Sequence, residues 1–179
     1  AYKGGTRYIA NLRYMNGNSW VPSIARGGSG NNTLIASFSV GQNHAGDTGN
    51  YVHFLKSIDN GVTWETVYSY GGNAGVSYMC EGVRWNPYNS KWYFFIKVQS
   101  ATPRQMRLLE WDGVNTPTLV KDYHDGTPKD MIIYPTRTFT TTNTIIIGME
   151  YTSPSSFLTS ALLDLTTGTI SSEYTFANG

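Results

Sequence analysis

The sequence predicts an all-β protein made of three consecutive four-stranded antiparallel sheets. Two observations support this fold class. Of the 179 residues, 14% are aromatic and only 14% are charged, with 13 Tyr and 19 Gly, which is typical of short strands joined by tight turns. In addition, four strand-like segments recur three times in the same order, separated by Gly, Pro, Asn and Asp. We therefore expect one domain built from repeats.

The repeat has a period of about fifty residues. The third segment of each unit begins at residues 50, 104 and 156, and the fourth segment begins at residues 63, 116 and 169. A four-stranded unit with this period is typical of a β-propeller blade. The predicted segments are 21–26, 33–41, 50–57 and 63–70 in unit one, 79–85, 92–100, 104–112 and 116–123 in unit two, and 133–139, 144–152, 156–165 and 169–176 in unit three.

These units divide the chain into an N-terminal strand or clasp and three blades. The clasp is 1–20, and the blades are 21–72, 73–126 and 127–179. Propellers close with about 4 to 8 blades, so three blades predict either a homo-oligomer or a larger parent protein. A β-sandwich or jelly roll with about the same number of strands is the alternative fold.

Unit one contains a motif between its third and fourth segments. The pattern S-x-D-x-G-x-T-W is matched at every fixed position, by Ser57, Asp59, Gly61, Thr63 and Trp64. The Asn-Gly pair inside it favours a tight hairpin, and the Asp carboxylate can accept hydrogen bonds from the turn amides. The motif resembles the Asp box of the sialidase-like (BNR-repeat) β-propeller superfamily. That resemblance implies a structural fastening role for these five residues.

The beginning of unit one resembles the first blade of sialidases more widely. In that family an aromatic-Arg-Ile-Pro strand precedes an apolar strand and a loop that carries the catalytic acid. Residues 19–24, 34–38 and 42–47 take these places here. Trp20 stands where the family has its first carboxylate-binding arginine, so the sialidase arginine cluster is not matched. Asp47 lies close to the acid position and is a weak candidate for a catalytic residue.

Carbohydrate binding needs aromatic faces that stack on sugar rings and polar groups that hydrogen-bond to hydroxyls. In a propeller, the loops that follow first strands or join second to third strands supply these groups. The candidate ligand-binding residues at such positions are Trp20, Asn43, His44, Asp47, Trp85, Asn86, Tyr88, Tyr134 and Arg137. Two further arginines, Arg26 and Arg84, can add positive charge from positions that the family pattern does not use.

Other ligand classes receive less support. The net charge is +1 without a basic cluster, so no nucleic-acid partner is expected. No apolar run approaches the roughly 20 residues of a membrane span. Cys80 is the single cysteine, and the three histidines are scattered, so neither a disulfide nor a metal site is predicted. No cofactor is expected, because the nucleotide-binding glycine motifs are missing.

The sequence therefore predicts a non-catalytic glycan- or receptor-recognition module. It resembles phage tail adhesins and bacterial surface proteins in composition, which implies an extracellular, cell-surface or virion-surface location. Whether the protein is an enzyme stays open. The alternatives are a sialidase-like glycoside hydrolase, or part of one, and a structural protein-binding propeller. A hydrolase needs two carboxyl groups that flank the scissile bond, and the sequence spacing pairs none.

Overall fold

A computed structural model describes residues 20–40, 50–73, 76–98, 105–123, 131–151 and 157–175. These residues form twelve strands in three four-stranded antiparallel sheets, and within each sheet every strand pairs with its neighbour in sequence. The predicted all-β class and the predicted three sheets are confirmed. The predicted clasp at 1–20 lies outside the described residues except for its last residue. The three sheets do not close into a ring, and the propeller arrangement stays a prediction.

Each predicted unit corresponds to one sheet. Sheet I comprises β1 (Trp20–Gly27), β2 (Thr33–Val40), β3 (Tyr51–Ser57) and β4 (Glu65–Gly71), and a 3₁₀ turn (Ser29–Asn31) joins its first two strands. Sheet II comprises β5 (Tyr78–Asn86), β6 (Lys91–Val98), β7 (Gln105–Trp111) and β8 (Thr118–Asp122). Sheet III comprises β9 (Met131–Phe139), β10 (Thr144–Tyr151), β11 (Phe157–Asp164) and β12 (Ile170–Thr175).

Sheet II is packed on both faces, because side chains alternate between the two sides of a strand. On β6, Trp92, Phe94 and Ile96 belong to a core shared with sheet I, and Phe94 stacks on Phe54 of sheet I at 4.1 Å between ring centroids. The intervening residues of β6 belong to a second core that is shared with sheet III. The nearly continuous apolar sequence of β6 is therefore that of a strand without a solvent face.

The first strands of the three sheets lie side by side. The backbone N–H of Val83 in β5 donates to the Ser23 hydroxyl in β1 at 3.1 Å. On the other side of β5, the Arg84 Nε–H donates to the Thr136 carbonyl in β9 at 2.6 Å. The first strands β1, β5 and β9 thus form a continuous row across all three sheets.

Two glycines allow the first strands to come this close. A Cβ atom added to Gly27 would lie 2.2 Å from Cγ of Trp85, and one added to Gly82 would lie 2.5 Å from Cγ of Pro135. Both distances are far below van der Waals contact, so a side chain at either position would push two sheets apart. Glycine at these positions is therefore required by packing between sheets rather than by a turn.

We predict that Gly82→Ala lowers the free energy of unfolding by about 1–3 kcal/mol, as expected for an overpacked contact. Gly148→Ala in β10 of sheet III is the control, because its added Cβ would meet nothing closer than 3.9 Å. Urea denaturation of both variants measures the effect. Equal stability of the two variants would show that the contact between β5 and β9 is not tight.

Candidate functional site

A groove of about 310 Å³ opens where the first strands of the three sheets meet. We call it the arginine groove. Its described lining residues come from sheets I, II and III, and they combine guanidinium groups with aromatic and aliphatic side chains. They are Ile24, Ala25, Arg26, Leu34, Arg84, Trp85, Arg137 and Phe139.

Each sheet contributes one arginine to this groove from the carboxyl-terminal part of its first strand. Arg26 is the next-to-last residue of β1, and Arg84 and Arg137 are each followed by two more residues of β5 and β9. The repeat places the three residues at similar positions, and the row of first strands brings them to one groove. The described lining residues include no carboxylate, and none of the ion pairs between described residues involves these arginines.

Arg84 is held by backbone carbonyl groups. Its guanidinium donates to the carbonyls of Pro135, Thr136 and Val83, the last at 2.6 Å. Burial, with a smaller contribution from the nearby charge of Arg137, lowers the pKa of Arg84 below its ordinary value. Because two of these carbonyls directly precede Arg137, Arg84 fixes the backbone that presents Arg137 to the groove.

The other two arginines are more exposed. Arg26 donates to the side-chain oxygen of Asn60 at 2.9 Å and to the Asn31 carbonyl at 3.4 Å. Both partners are neutral, so they orient the guanidinium without cancelling its charge. Arg137 is exposed and lies close enough to Arg84 to affect its pKa. Arg26 and Arg137 therefore have donor capacity for a ligand, whereas most donors of Arg84 are used.

The aromatic part of the groove is fixed by packing. Trp85 lies over Gly27 and contacts Trp92, with ring centroids 4.9 Å apart. Phe139 contacts the ring of Tyr88 edge-on at 6.0 Å. Trp85 and Phe139 are each partly exposed, so the groove offers apolar ring surface beside its positive charges.

The loop that carries the S-x-D-x-G-x-T-W motif is closed by its aspartate. The Asp59 carboxylate accepts hydrogen bonds from the Thr63 N–H at 2.9 Å, the Thr63 hydroxyl at 2.5 Å and the Ser57 hydroxyl at 2.8 Å. The Trp64 indole N–H donates to the Gly61 carbonyl at 3.0 Å. Asn60, which adopts a positive φ of 58°, supplies the oxygen that Arg26 contacts. The loop thus also supports one wall of the groove.

The corresponding turns of sheets II and III also carry an aspartate. The Asp112 carboxylate accepts from the N–H groups of Val114 and Asn115, each at 2.8 Å. In sheet III, Asp164 accepts from the N–H groups of Thr166 and Thr167 at 2.8 and 3.0 Å. The sequence analysis predicted a closed turn in unit one alone. The signal was present, because an aspartate stands at or just after the end of every third strand.

Two of the predicted ligand-binding residues, Trp85 and Arg137, line the groove. Tyr88 is exposed at its edge against Phe139. Asn86 is buried and has a structural role, since its amide N–H donates to the Thr142 carbonyl of sheet III at 2.9 Å. Tyr134 lies on the outer face of sheet III, where its hydroxyl donates to Glu150 at 2.9 Å.

Four further predicted ligand-binding residues are not among the described residues that line the groove. Asn43, His44 and Asp47 lie outside the described residues, and Trp20 is described only as the first residue of β1. Conversely, Phe139, Ile24 and Leu34 line the groove without having been predicted. Apolar residues are common in every strand of this sequence. Only the tertiary structure, in which three sheets meet, shows that these three line a groove.

No protein-family model matches the chain, and neither the curated proteins nor the solved structures contain a match. The family resemblance carried by the Ser57–Trp64 motif therefore stays a prediction. Nothing helical among the described residues has the length and apolarity that a membrane crossing requires. The same residues contain no group of three or more His, Cys, Asp or Glu side chains that could hold a metal ion.

The turn hydrogen bonds lower the pKa of Asp59 to about 2, with Thr63 as the largest cause. The pKa of Asp59 is lower in the folded state than its ordinary value of 3.8. The charged carboxylate therefore stabilises the fold at pH values above 3.8, and this stabilisation is lost as the pH falls from 3.8 towards 2. We predict that wild type is more stable than Asp59→Asn at pH 7. The difference in the free energy of unfolding should shrink as the pH is lowered from 3.8 to about 2. Chemical denaturation across this range measures it. A constant difference would mean that the charge is irrelevant.

We also predict that Arg84→Gln lowers the free energy of unfolding by about 1–3 kcal/mol, because carbonyls between the sheets lose a charged donor. Arg137→Gln should change it by less than about 0.5 kcal/mol, as expected for an exposed residue. Thermal or urea unfolding compares the two variants. If both substitutions were equally harmless, Arg84 would not join the two sheets.

Proposed function

We propose that the chain is a carbohydrate-binding module of the β-propeller type and that the arginine groove binds an acidic glycan. The proposed propeller arrangement makes sheets I, II and III consecutive blades. It is supported by the sequential order of the strands, by the face-to-face packing and by the row of first strands. A module that recognises glycans or receptors would act outside the cell, on a cell surface or on a virion surface.

One observation carries the ligand proposal: three guanidinium groups from three sheets line one groove whose described lining has no carboxylate. Placing like charges together is unfavourable unless a ligand or solvent compensates them. A planar guanidinium matches the two oxygens of a carboxylate or sulfate, and two arginines, Arg26 and Arg137, retain donors for this purpose.

The aromatic residues of the groove favour a sugar over a small inorganic anion. The faces of Trp85 and Phe139 can stack on the apolar face of a pyranose ring. The volume of about 310 Å³ suits one or two sugar rings, at the lower end of ordinary ligand pockets. Acidic sugars combine a ring with a carboxylate or a sulfate, so they use both chemical features of the groove.

Binding, rather than hydrolysis, is the function that this groove supports best. The groups that line it bind anions and stack on rings, whereas glycoside hydrolysis uses a pair of carboxyl groups at the scissile bond. Asp47, the weak candidate for a catalytic acid, lies outside the described residues. A glycan array therefore has to measure both retention of the protein and consumption of the glycan.

The proposal predicts that the protein is retained on glycans that carry a carboxylate or sulfate and not on their neutral counterparts. Arg137→Gln should weaken retention by about tenfold or more, the loss expected for one charge-assisted hydrogen-bonded pair. Lys56→Gln is the charge-matched control, because Lys56 does not line the groove. A glycan array with matched acidic and neutral ligands, followed by titration of the best ligand, measures both effects.

Each outcome of this experiment is informative. Equal loss in both variants would indicate non-specific attraction and would contradict the proposed site. Retention of neutral sugars alone would contradict the acidic ligand. Release of sugar from the array would show a hydrolase, and Asp47 would then be the first residue to replace.

A further inference from the structure

The outer face of sheet III has the residue pattern of a buried interface. In the stack, the face of a sheet that points to the next sheet along the chain is called its forward face. Its backward face packs on the preceding sheet. The forward faces of sheets I and II are buried in the two cores, whereas the forward face of sheet III is the exposed end of the stack.

Equivalent positions make the comparison direct. The second residue of the third strand is Val52 in sheet I, Met106 in sheet II and Leu158 in sheet III. Val52 and Met106 are 0% and 1% exposed inside the two interfaces, whereas Leu158 is 57% exposed. Sheet III thus has a large apolar residue at this position, as sheets I and II do, but no neighbouring sheet among the described residues covers it.

At two further positions a side chain that is covered in sheet I has a more exposed counterpart in sheet III. Tyr68 pairs with the fourth residue of β3 and packs against the core between sheets I and II. Tyr174 pairs with the fourth residue of β11 and is 69% exposed. The third residue of the second strand is aliphatic in both sheets: Ile35 is buried, and Ile146 is only partly so. Large apolar side chains that are exposed at the positions covered in sheet I indicate an interaction surface.

In both cores the forward face of one sheet packs on the backward face of the next sheet. The surface that fits the forward face of sheet III is therefore the backward face of another sheet. The backward faces of sheets II and III lie in the two cores. Among the described sheets, only the backward face of sheet I lies outside both cores.

On β2 this backward face of sheet I carries Leu34, Ala36 and Phe38, which are the second, fourth and sixth residues of the strand. The same positions of β6 and β10 face the preceding sheet and are buried in the two cores; they are Trp92, Phe94 and Ile96 in β6 and Ile145, Ile147 and Met149 in β10. Ala36 and Leu55, its cross-strand partner, are already buried on this face. The apolar surface that remains open is Ile24 in β1, which is 50% exposed, with Leu34 and Phe38 partly exposed.

We propose that two copies of this chain associate head to tail, with the forward face of sheet III of each copy packed on the backward face of sheet I of the other. The association continues the two interfaces that the chain already contains. The stack is curved, because sheets I and III both line the arginine groove although sheet II lies between them. A heterologous contact closes when the curvature allows it, and two copies then form two equal interfaces.

This proposal rests on the propeller-type stacking that the proposed function assumes. Because Ile24 and Leu34 also line the arginine groove, glycan retention is compared between wild type and Leu158→Asp, whose substitution lies outside the groove lining. A monomer that still retained acidic glycans would contradict the association alone. A dimer that retained no glycan would contradict the binding function alone.

Light scattering coupled to size exclusion tests the association on the 179-residue chain. Wild type should have twice the mass of one chain at micromolar concentration. Leu158→Asp should raise the dimer dissociation constant by about 100-fold or more, because a charge replaces a buried apolar contact in both interfaces. Leu119→Asp is the matched control, since Leu119 is 56% exposed in β8 of sheet II. It should leave the dimer intact.

The head-to-tail geometry has its own test. Ile24→Asp changes the backward face of sheet I and should also give a monomer. A mixture of the Leu158→Asp and Ile24→Asp variants can form one unaltered interface, so mixing should restore dimers. The variants must unfold cooperatively in urea, and Leu158→Lys and Ile24→Lys replace any Asp variant that does not.

Three results would overturn the proposal. The first is a wild-type monomer at 100-fold higher concentration. The second is a dimer that Leu158→Asp disrupts but Ile24→Asp does not, since this would mean that two sheet III faces pack together. The third is an open-ended series of larger species, which would mean that the contact does not close.

Discussion

The packing of both faces of sheet II is the interaction on which the rest of the structure depends. Strand β6 alternates large side chains between two cores, so that Phe94 stacks on Phe54 of sheet I while its neighbours Tyr93 and Phe95 join the core with sheet III. Full burial of one such side chain contributes about 1.5–3 kcal/mol. Among the described residues, only sheet II packs against another sheet on both faces, so sheet II unites the three sheets.

The arginine groove follows from the same packing. Gly27 and Gly82 let Trp85 and Pro135 approach from the neighbouring sheet, and the first strands therefore lie side by side. Residues of the groove also take part in the contacts between sheets, as shown by Trp85 over Gly27 and by Arg84 bonded to the carbonyls of β9. Stability and ligand recognition are therefore coupled at this edge of the molecule.

Much of the fold could be predicted from the sequence, because its signals are local. The alternation and apolar content of the strands, and the spacing of turn residues, predicted all twelve strands and their division into three sheets. Residues 57–64 predicted a closed turn, and Asp59 closes it as expected from its position. The candidate site was predicted only in part: Trp85 and Arg137 line the groove, whereas Asn86 is buried in a hydrogen bond between sheets.

The sequence by itself determined the class, the repeat and the turns, since each depends on residues that are close together in the chain. Only the tertiary structure decided that Arg26, Arg84 and Arg137 share one groove and that Arg84 is anchored while Arg137 is exposed. Those outcomes depend on how closely and at what angle the sheets pack. That packing is set by contacts between residues about fifty positions apart, such as Gly82 against Pro135, and strand periodicity carries no information about them.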